Sequence, residues 1–129
     1  MKELEQEVES LVHTVIGAAI EVHKVLGPGY LESVYESALC IELEKRNIAF
    51  LRQHKVAVNY KGKEIGEGRL DLFVENKVIV ELKTVDSLLP IHKAQVISYL
   101  KTTGAQIALL INFNTVVLTQ GLQRIILTK

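Results

Sequence analysis

The chain reads as an α/β domain in which helices pack on a sheet with an antiparallel hairpin at its centre. Two stretches with helical apolar spacing come first, a region of strand-like alternation follows, and a further helix then precedes a wholly apolar strand. At 129 residues the chain suits one domain, residues 1–129, with a core that needs no disulfide or metal staple.

The first helix is read over Val8 to Val25, where Val8, Leu11, Val12, Val15, Ile16, Ala19 and Ile20 recur at amphipathic spacing. Gly27-Pro28-Gly29 stops it, because Pro28 lacks an N–H and disfavours helical geometry at Gly27. A second helix runs from Leu31 to Arg46, with Val34, Ala38, Leu39, Ile41 and Leu43 apolar and Asn47 near its end. "FLRQHKVAVNY" then alternates as a strand, and "NYKGKE" reads as a turn. "EIGEGRLDLFV" and "KVIVELK" flank a two- or three-residue connection and form a hairpin. After "TVDS", where Asp86 or Ser87 supplies a cap, a third helix ends at Gly104. "QIALLINF" is a buried strand, and "TVVLTQGLQRIIL" adds one or two edge strands. The order α-α-β-β-β-α-β-β lacks repeated βαβ units, and neither GxGxxG nor GxxxxGK[ST] occurs, so nucleotide-cofactor folds are set aside.

Composition narrows the class further. Fifteen basic residues balance fifteen acidic ones, which argues against an autonomous basic nucleic-acid binder while leaving room for a local basic groove. The polar, acidic N-terminus is unlike a signal peptide, and no apolar run approaches the length that spans a bilayer. One cysteine, Cys40, has no partner, so a reducing cytoplasm is the expected compartment and a small core residue its expected role. His13, His23, His54 and His92 lack metal-site spacing. The apolar first helix in so small a domain predicts a homodimer.

The chemistry concentrates in "RLDLFVENKVIVELK", Arg69 to Lys83. A three-residue loop, Glu75 to Lys77, sets Val74 opposite Val78 and therefore Asp71 opposite Glu81, with Lys83 on the same face. Two carboxylates side by side in apolar strands require compensation. A hard divalent cation such as Mg²⁺ provides it, and Lys83 beside it could orient water or stabilise phosphate charge. The plain alternative is a cross-strand salt bridge from Lys83 to Asp71 or Glu81. On the third helix Gln95 and Tyr99 share a face and interrupt an apolar run, as partners for water or a nucleic-acid backbone or as half-exposed structural residues. Lys55, Lys61, Lys63 and Arg69 either line a phosphate track or decorate an exposed turn.

Asp71, a nine-residue gap and Glu81-Leu82-Lys83 resemble the D-(x)n-E-x-K signature of the PD-(D/E)xK nuclease superfamily, and Gln95 with Tyr99 resembles its QxxxY element. "GPGYLESVYESAL", "YKGKEIGEGRLDLFVENKVIVELK", "IHKAQVISYLKTTG" and "LLINF" are similar to the small GxxExxY group, whose motif stands here as Gly29, Glu32 and Tyr35. The resemblance covers Val12 to Ile126. It implies a restriction-endonuclease-like αβββαβ core with an extra N-terminal helix and added C-terminal strand. It also implies that Asp71, Glu81, the Leu82 carbonyl and Glu32 hold Mg²⁺ (or Mn²⁺), with Lys83 and Gln95 as catalytic partners. Tyr35, Tyr99, Glu36 and Arg69 would support the site or touch substrate. Two departures stand out: Leu70 replaces the usual proline before the Asp, and Asn114 stands where a glycine is typical, in a loop whose left-handed turn Asn tolerates. The function implied is metal-dependent hydrolysis of DNA, or RNA, in a protein without membrane association. The alternative is a non-catalytic domain of the same fold that binds nucleic acid or a protein partner.

Overall fold

The computed structural model describes residues 4–127, so the first three residues of the acidic N-terminus lie outside it. Helix α1 (Gln6–Leu26) and helix α2 (Glu32–Lys45) precede strands β1 (Phe50–Tyr60), β2 (Lys63–Val74) and β3 (Val78–Lys83). Helix α3 (Pro90–Thr103), strand β4 (Ile107–Asn112), a 3₁₀ turn (Leu118–Gly121) and strand β5 (Leu122–Ile126) complete the order. The five strands lie in chain order, antiparallel throughout except for the parallel β3–β4 pair that α3 bridges. This is the α/β, restriction-endonuclease-like arrangement expected, with one added helix in front and one added strand behind. Among the described residues no helix is long and apolar enough to cross a membrane.

Alternation along the strands divides the core into two layers. Leu72, Val74, Val78, Val80, Leu82, Ile107, Leu109 and Ile111 meet α1 and α2, while Ile79, Ala108, Leu110 and Ile125 meet Val96 and Leu100 of α3. The apolar stripe of α1 is covered within the chain by the first layer, where Val12, Val15, Ala18 and Ala19 are almost fully buried. The stripe therefore gives no ground for a second copy, and the predicted homodimer loses the argument behind it.

Local chemistry fixes the turns. Glu75 and Asn76 both take positive φ, which makes the β2–β3 connection tight and sets Val74 opposite Val78. Lys61 and Gly62 do the same between β1 and β2. Gly104 closes α3 in the left-handed conformation. Two local expectations are corrected. Helix α3 begins at Pro90, where a missing N–H costs nothing, and the Leu89 N–H donates to His92 Nδ1 at 2.9 Å, so neither Asp86 nor Ser87 caps it. Asn114 does not adopt positive φ; its side-chain amide instead donates to the Val85 carbonyl at 3.4 Å.

The sheet also breaks phase. Phe50 on β1 and Leu72 on β2 face the first layer, so strict alternation would put Val56 and Leu70 there too; both pack in the second. The switch falls at Gln53, which has φ of 51°, and at Asp71, its neighbour across the hairpin between the pairs Arg52↔Leu72 and His54↔Leu70. Beyond this point the hairpin turns over α3.

Candidate active site

The phase switch coincides with the end of the β2–β3 ladder, whose last regular pair is Leu72↔Val80. One step further the strands are joined by side chains. The Asp71 N–H donates to Glu81 Oε2 at 2.6 Å, and the Leu82 N–H donates to Asp71 Oδ2 at 2.9 Å. Each carboxylate thus satisfies a backbone donor of the other strand. Asp71 and Glu81 sit across from each other, as the three-residue loop predicts.

A second tier holds Asp71 from the other side. Gln53 Nε2 donates to Asp71 Oδ1 at 3.2 Å and to Glu36 Oε1 at 2.6 Å, while Arg52 Nε donates to Glu36 Oε2 at 2.7 Å. Glu36 is therefore a buried anchor on α2, tied to Asp71 through Gln53. Neither Arg52 nor Gln53 was singled out from sequence. Gln53 leaves no trace in the sequence, because Phe50 and Val56 in "FLRQHKV" keep one alternation and the change of face shows only in the fold.

Glu32 starts α2, and its position is set by the preceding turn. Gly27 and Gly29 both take positive φ, and the Tyr35 hydroxyl donates to the Gly27 carbonyl and accepts the Tyr30 N–H. Tyr35 is fully buried and stacks on Phe113 with ring centroids 4.7 Å apart, so it supports the turn and offers no surface to a substrate. Tyr99 of α3 lies against Gly68, where an added Cβ would come within 2.8 Å of its ring. Gln95, one turn earlier on α3, is exposed, and so is Arg69, two residues before Asp71. Lys83 makes no ion pair among the described residues, and the cross-strand salt bridge offered as the plain alternative is not formed.

A family model described as the PD-(D/E)XK nuclease superfamily matches residues 9–125. The chain belongs to that superfamily. The crystal structure of SSO0001 aligns with a TM-score of 0.52 at 20% identity, over 92% of this chain and 58% of that one, a likeness that speaks to the fold alone. The chain therefore spans less than two thirds of SSO0001. No curated protein matches the chain.

The electrostatics of this superfamily member converge on the acidic pair. Burial, reinforced by the Asp71 charge, pushes Glu81 up to about 8. Burial raises Asp71 as well, with Glu36 adding to the rise and the Leu82 N–H and Lys83 opposing it. Glu32 is raised by burial and then by Asp71. Tyr99 is raised by burial and by the Glu81 charge, which places its hydroxyl within the field of the pair. Burial likewise raises the Cys40 thiol, in keeping with an inert core residue.

Among the described residues, no three His, Cys, Asp or Glu side chains converge tightly enough to hold a metal ion, so Glu32 does not close a cluster with Asp71 and Glu81. The donor set fits a smaller site. Asp71 Oδ1 is shared only with Gln53, and Glu81 Oε1 has no hydrogen-bond partner among the described residues. Mg²⁺ accepts such a set, because it takes one or two carboxylates and keeps several waters.

Proposed function

We propose that the chain is a Mg²⁺-dependent nuclease that hydrolyses phosphodiester bonds of DNA, with RNA as the other candidate substrate. The observation that carries this reading is an interlocked acidic pair whose carboxylates are raised by burial, beside a lysine with no ion-pair partner. Gly29, Glu32 and Tyr35 support a place within the GxxExxY group, since the motif's tyrosine locks the turn that positions its glutamate.

Asp71 and Glu81, with the Leu82 carbonyl, are the groups that would hold Mg²⁺ or Mn²⁺. The ion supplies charge neutralisation at the phosphate and a bound water of lowered pKa. Lys83 contributes a cation at the acidic pair, free to stabilise charge as it develops on the phosphate. Glu32 adds a carboxylate within electrostatic reach of Asp71 and Lys83, suited to accept a proton from water. Gln53 and Glu36 keep Asp71 oriented. Tyr99 lies on the α3 side of the same region, within the field of Glu81 and Asp71, and Gln95 is exposed one turn before it.

A plasmid and oligonucleotide nicking assay in Mg²⁺, with Lys83→Ala as control, tests the reading. Cleavage by the native chain and its loss in Lys83→Ala are expected, as is calorimetric Mg²⁺ binding that disappears in Asp71→Asn. No Mg²⁺ binding at millimolar concentration, with no cleavage, would transfer the fold to the non-catalytic reading.

A further inference from the structure

The hairpin that carries Asp71 extends well past the sheet. β3 pairs with β2 only over Leu72–Val74, so from Arg69 to the tip β1 and β2 form a two-stranded ribbon. Almost all of its residues are exposed; Val56 and Gly68, beneath the Tyr99 ring, anchor its base. An unpaired extra residue, Ile65, interrupts the register between Val58 and Asn59 and increases the local twist. A free two-stranded ribbon is marginal in water, so an exposed one of this length gains from a partner.

Its chemistry indicates which partner. Residues 55–69 hold four basic and two acidic side chains, in a chain where fifteen of each balance. Lys55 and Arg69 stand directly opposite each other in the register, an arrangement that repels unless an anion lies between or beside them. Lys55 meets Glu67 only at 3.9 Å, both exposed, while Lys61, Lys63 and Arg69 make no ion pair among the described residues. At the tip Lys61 Nζ lies 5.4 Å from the ring of Tyr60, which is 60% exposed, and Ile65 is 65% exposed. Cations flanking exposed aromatic and aliphatic groups suit phosphates bordering a groove. A two-stranded ribbon is also one of the two elements that the major groove of B-DNA admits.

We infer that the β1–β2 ribbon is a duplex-DNA grip that lies along a groove and feeds the strand to Asp71 and Glu81. This inference deepens the nuclease reading and rests on it for the site it serves. Eight residues separate Lys63 from Asp71, a reach of roughly 27 Å at about 3.4 Å per residue, comparable to about eight base pairs. The preferred substrate is therefore a duplex extending about that far to one side of the scissile bond.

Fluorescence anisotropy of the full chain with labelled 20-base-pair and single-stranded probes, in EDTA across a salt series, tests the grip. The double variant Lys61→Glu/Lys63→Glu is expected to fold with unchanged urea midpoint, to bind duplex at least tenfold more weakly, and to lose about two from the salt slope. Lys83→Ala is expected to fail to cleave while still gripping duplex through the ribbon, with a salt slope smaller by no more than about one. Native affinity in the double variant, equal affinity for single strands, or a dimer by light scattering that the double variant dissolves would overturn the inference. Cleavage and binding fail separately here: duplex binding through the ribbon without cleavage defeats the nuclease reading alone. Cleavage untouched by the ribbon variant defeats the grip alone.

Discussion

Glu81→Gln isolates the electrostatic cost of the acidic pair. The amide keeps an oxygen that can accept the Asp71 N–H, now at 2.6 Å from Glu81 Oε2, and it cannot ionise. In the folded chain Glu81 holds its proton up to about 8, whereas the unfolded chain loses it near the ordinary value of 4.5. Between those values folding takes up a proton. The stability tied to this group is therefore complete below the lower value and is lost as pH rises through the higher one. At about 1.4 kcal/mol per pK unit the interval, with the Lys83 charge already counted, sets a ceiling of roughly 5 kcal/mol, and solvent relaxation reduces what is realised. Urea unfolding in EDTA, from about pH 5 to about pH 9, should show the native chain losing several kcal/mol that Glu81→Gln does not lose. Near the alkaline end the variant should be the more stable protein. Added Mg²⁺ should then rescue the native chain, by about 2.7 kcal/mol at a hundredfold excess over the dissociation constant, and leave the variant unmoved. Parallel pH profiles for the two proteins would refute the reasoning, because Glu81 would then be ionised in both folded and unfolded states.

Other substitutions probe the scaffold by the same denaturation assay. Tyr35→Phe keeps the stack on Phe113 but strands the Gly27 carbonyl and the Tyr30 N–H, and should cost about 1–3 kcal/mol. Gly121→Ala would drive a Cβ to 2.3 Å from the Asn112 carbonyl oxygen, so it should cost more than Gly68→Ala, whose 2.8 Å clash is with the Tyr99 ring, and more than about 3 kcal/mol. Glu9→Ala removes an exposed ion pair with Arg124 and should cost less than about 1 kcal/mol.

Element order was legible because each segment announced itself through period and punctuation. The helical spacing of α1, the Gly-Pro-Gly stop, the wholly apolar β4 and the glycine after α3 each have one physical reading, and Glu75 to Lys77 fixed the register that sets Asp71 across from Glu81. What was not legible depends on distance in three dimensions. The sequence places Glu36 among the supporting residues, but only the fold brings Arg52 and Gln53 to it. The motif offers Tyr35 as a support of the site or a substrate contact, whereas its hydroxyl is claimed by the turn eight residues earlier. The cap of α3 was missed because a histidine ring accepting a backbone N–H competes with the usual Asp and Ser. The phase switch at Gln53 was missed because an L residue at positive φ leaves no compositional mark.

That switch and the acidic pair are one feature. Where the β2–β3 ladder ends, the N–H groups of Asp71 and Leu82 lose backbone partners, and leaving either unsatisfied in this half-buried seam would cost about 1–3 kcal/mol. The two carboxylates supply the missing acceptors, so the acids have a structural reason to be there whatever chemistry they perform. Alanine at either position therefore confounds catalysis with folding, and the amides Asp71→Asn and Glu81→Gln, which keep an acceptor oxygen, separate them. Lys83 has no such second duty. Its side chain makes neither a hydrogen bond nor an ion pair among the described residues, and the strand around it is held by the Phe113 N–H donating to its backbone carbonyl at 2.9 Å. Removing the amine breaks no hydrogen bond or ion pair of the fold and takes away only the charge that holds the neighbouring carboxylates down. A loss of cleavage in Lys83→Ala, in a folded chain that still binds duplex DNA, thus isolates the charge that this site presents to a phosphate.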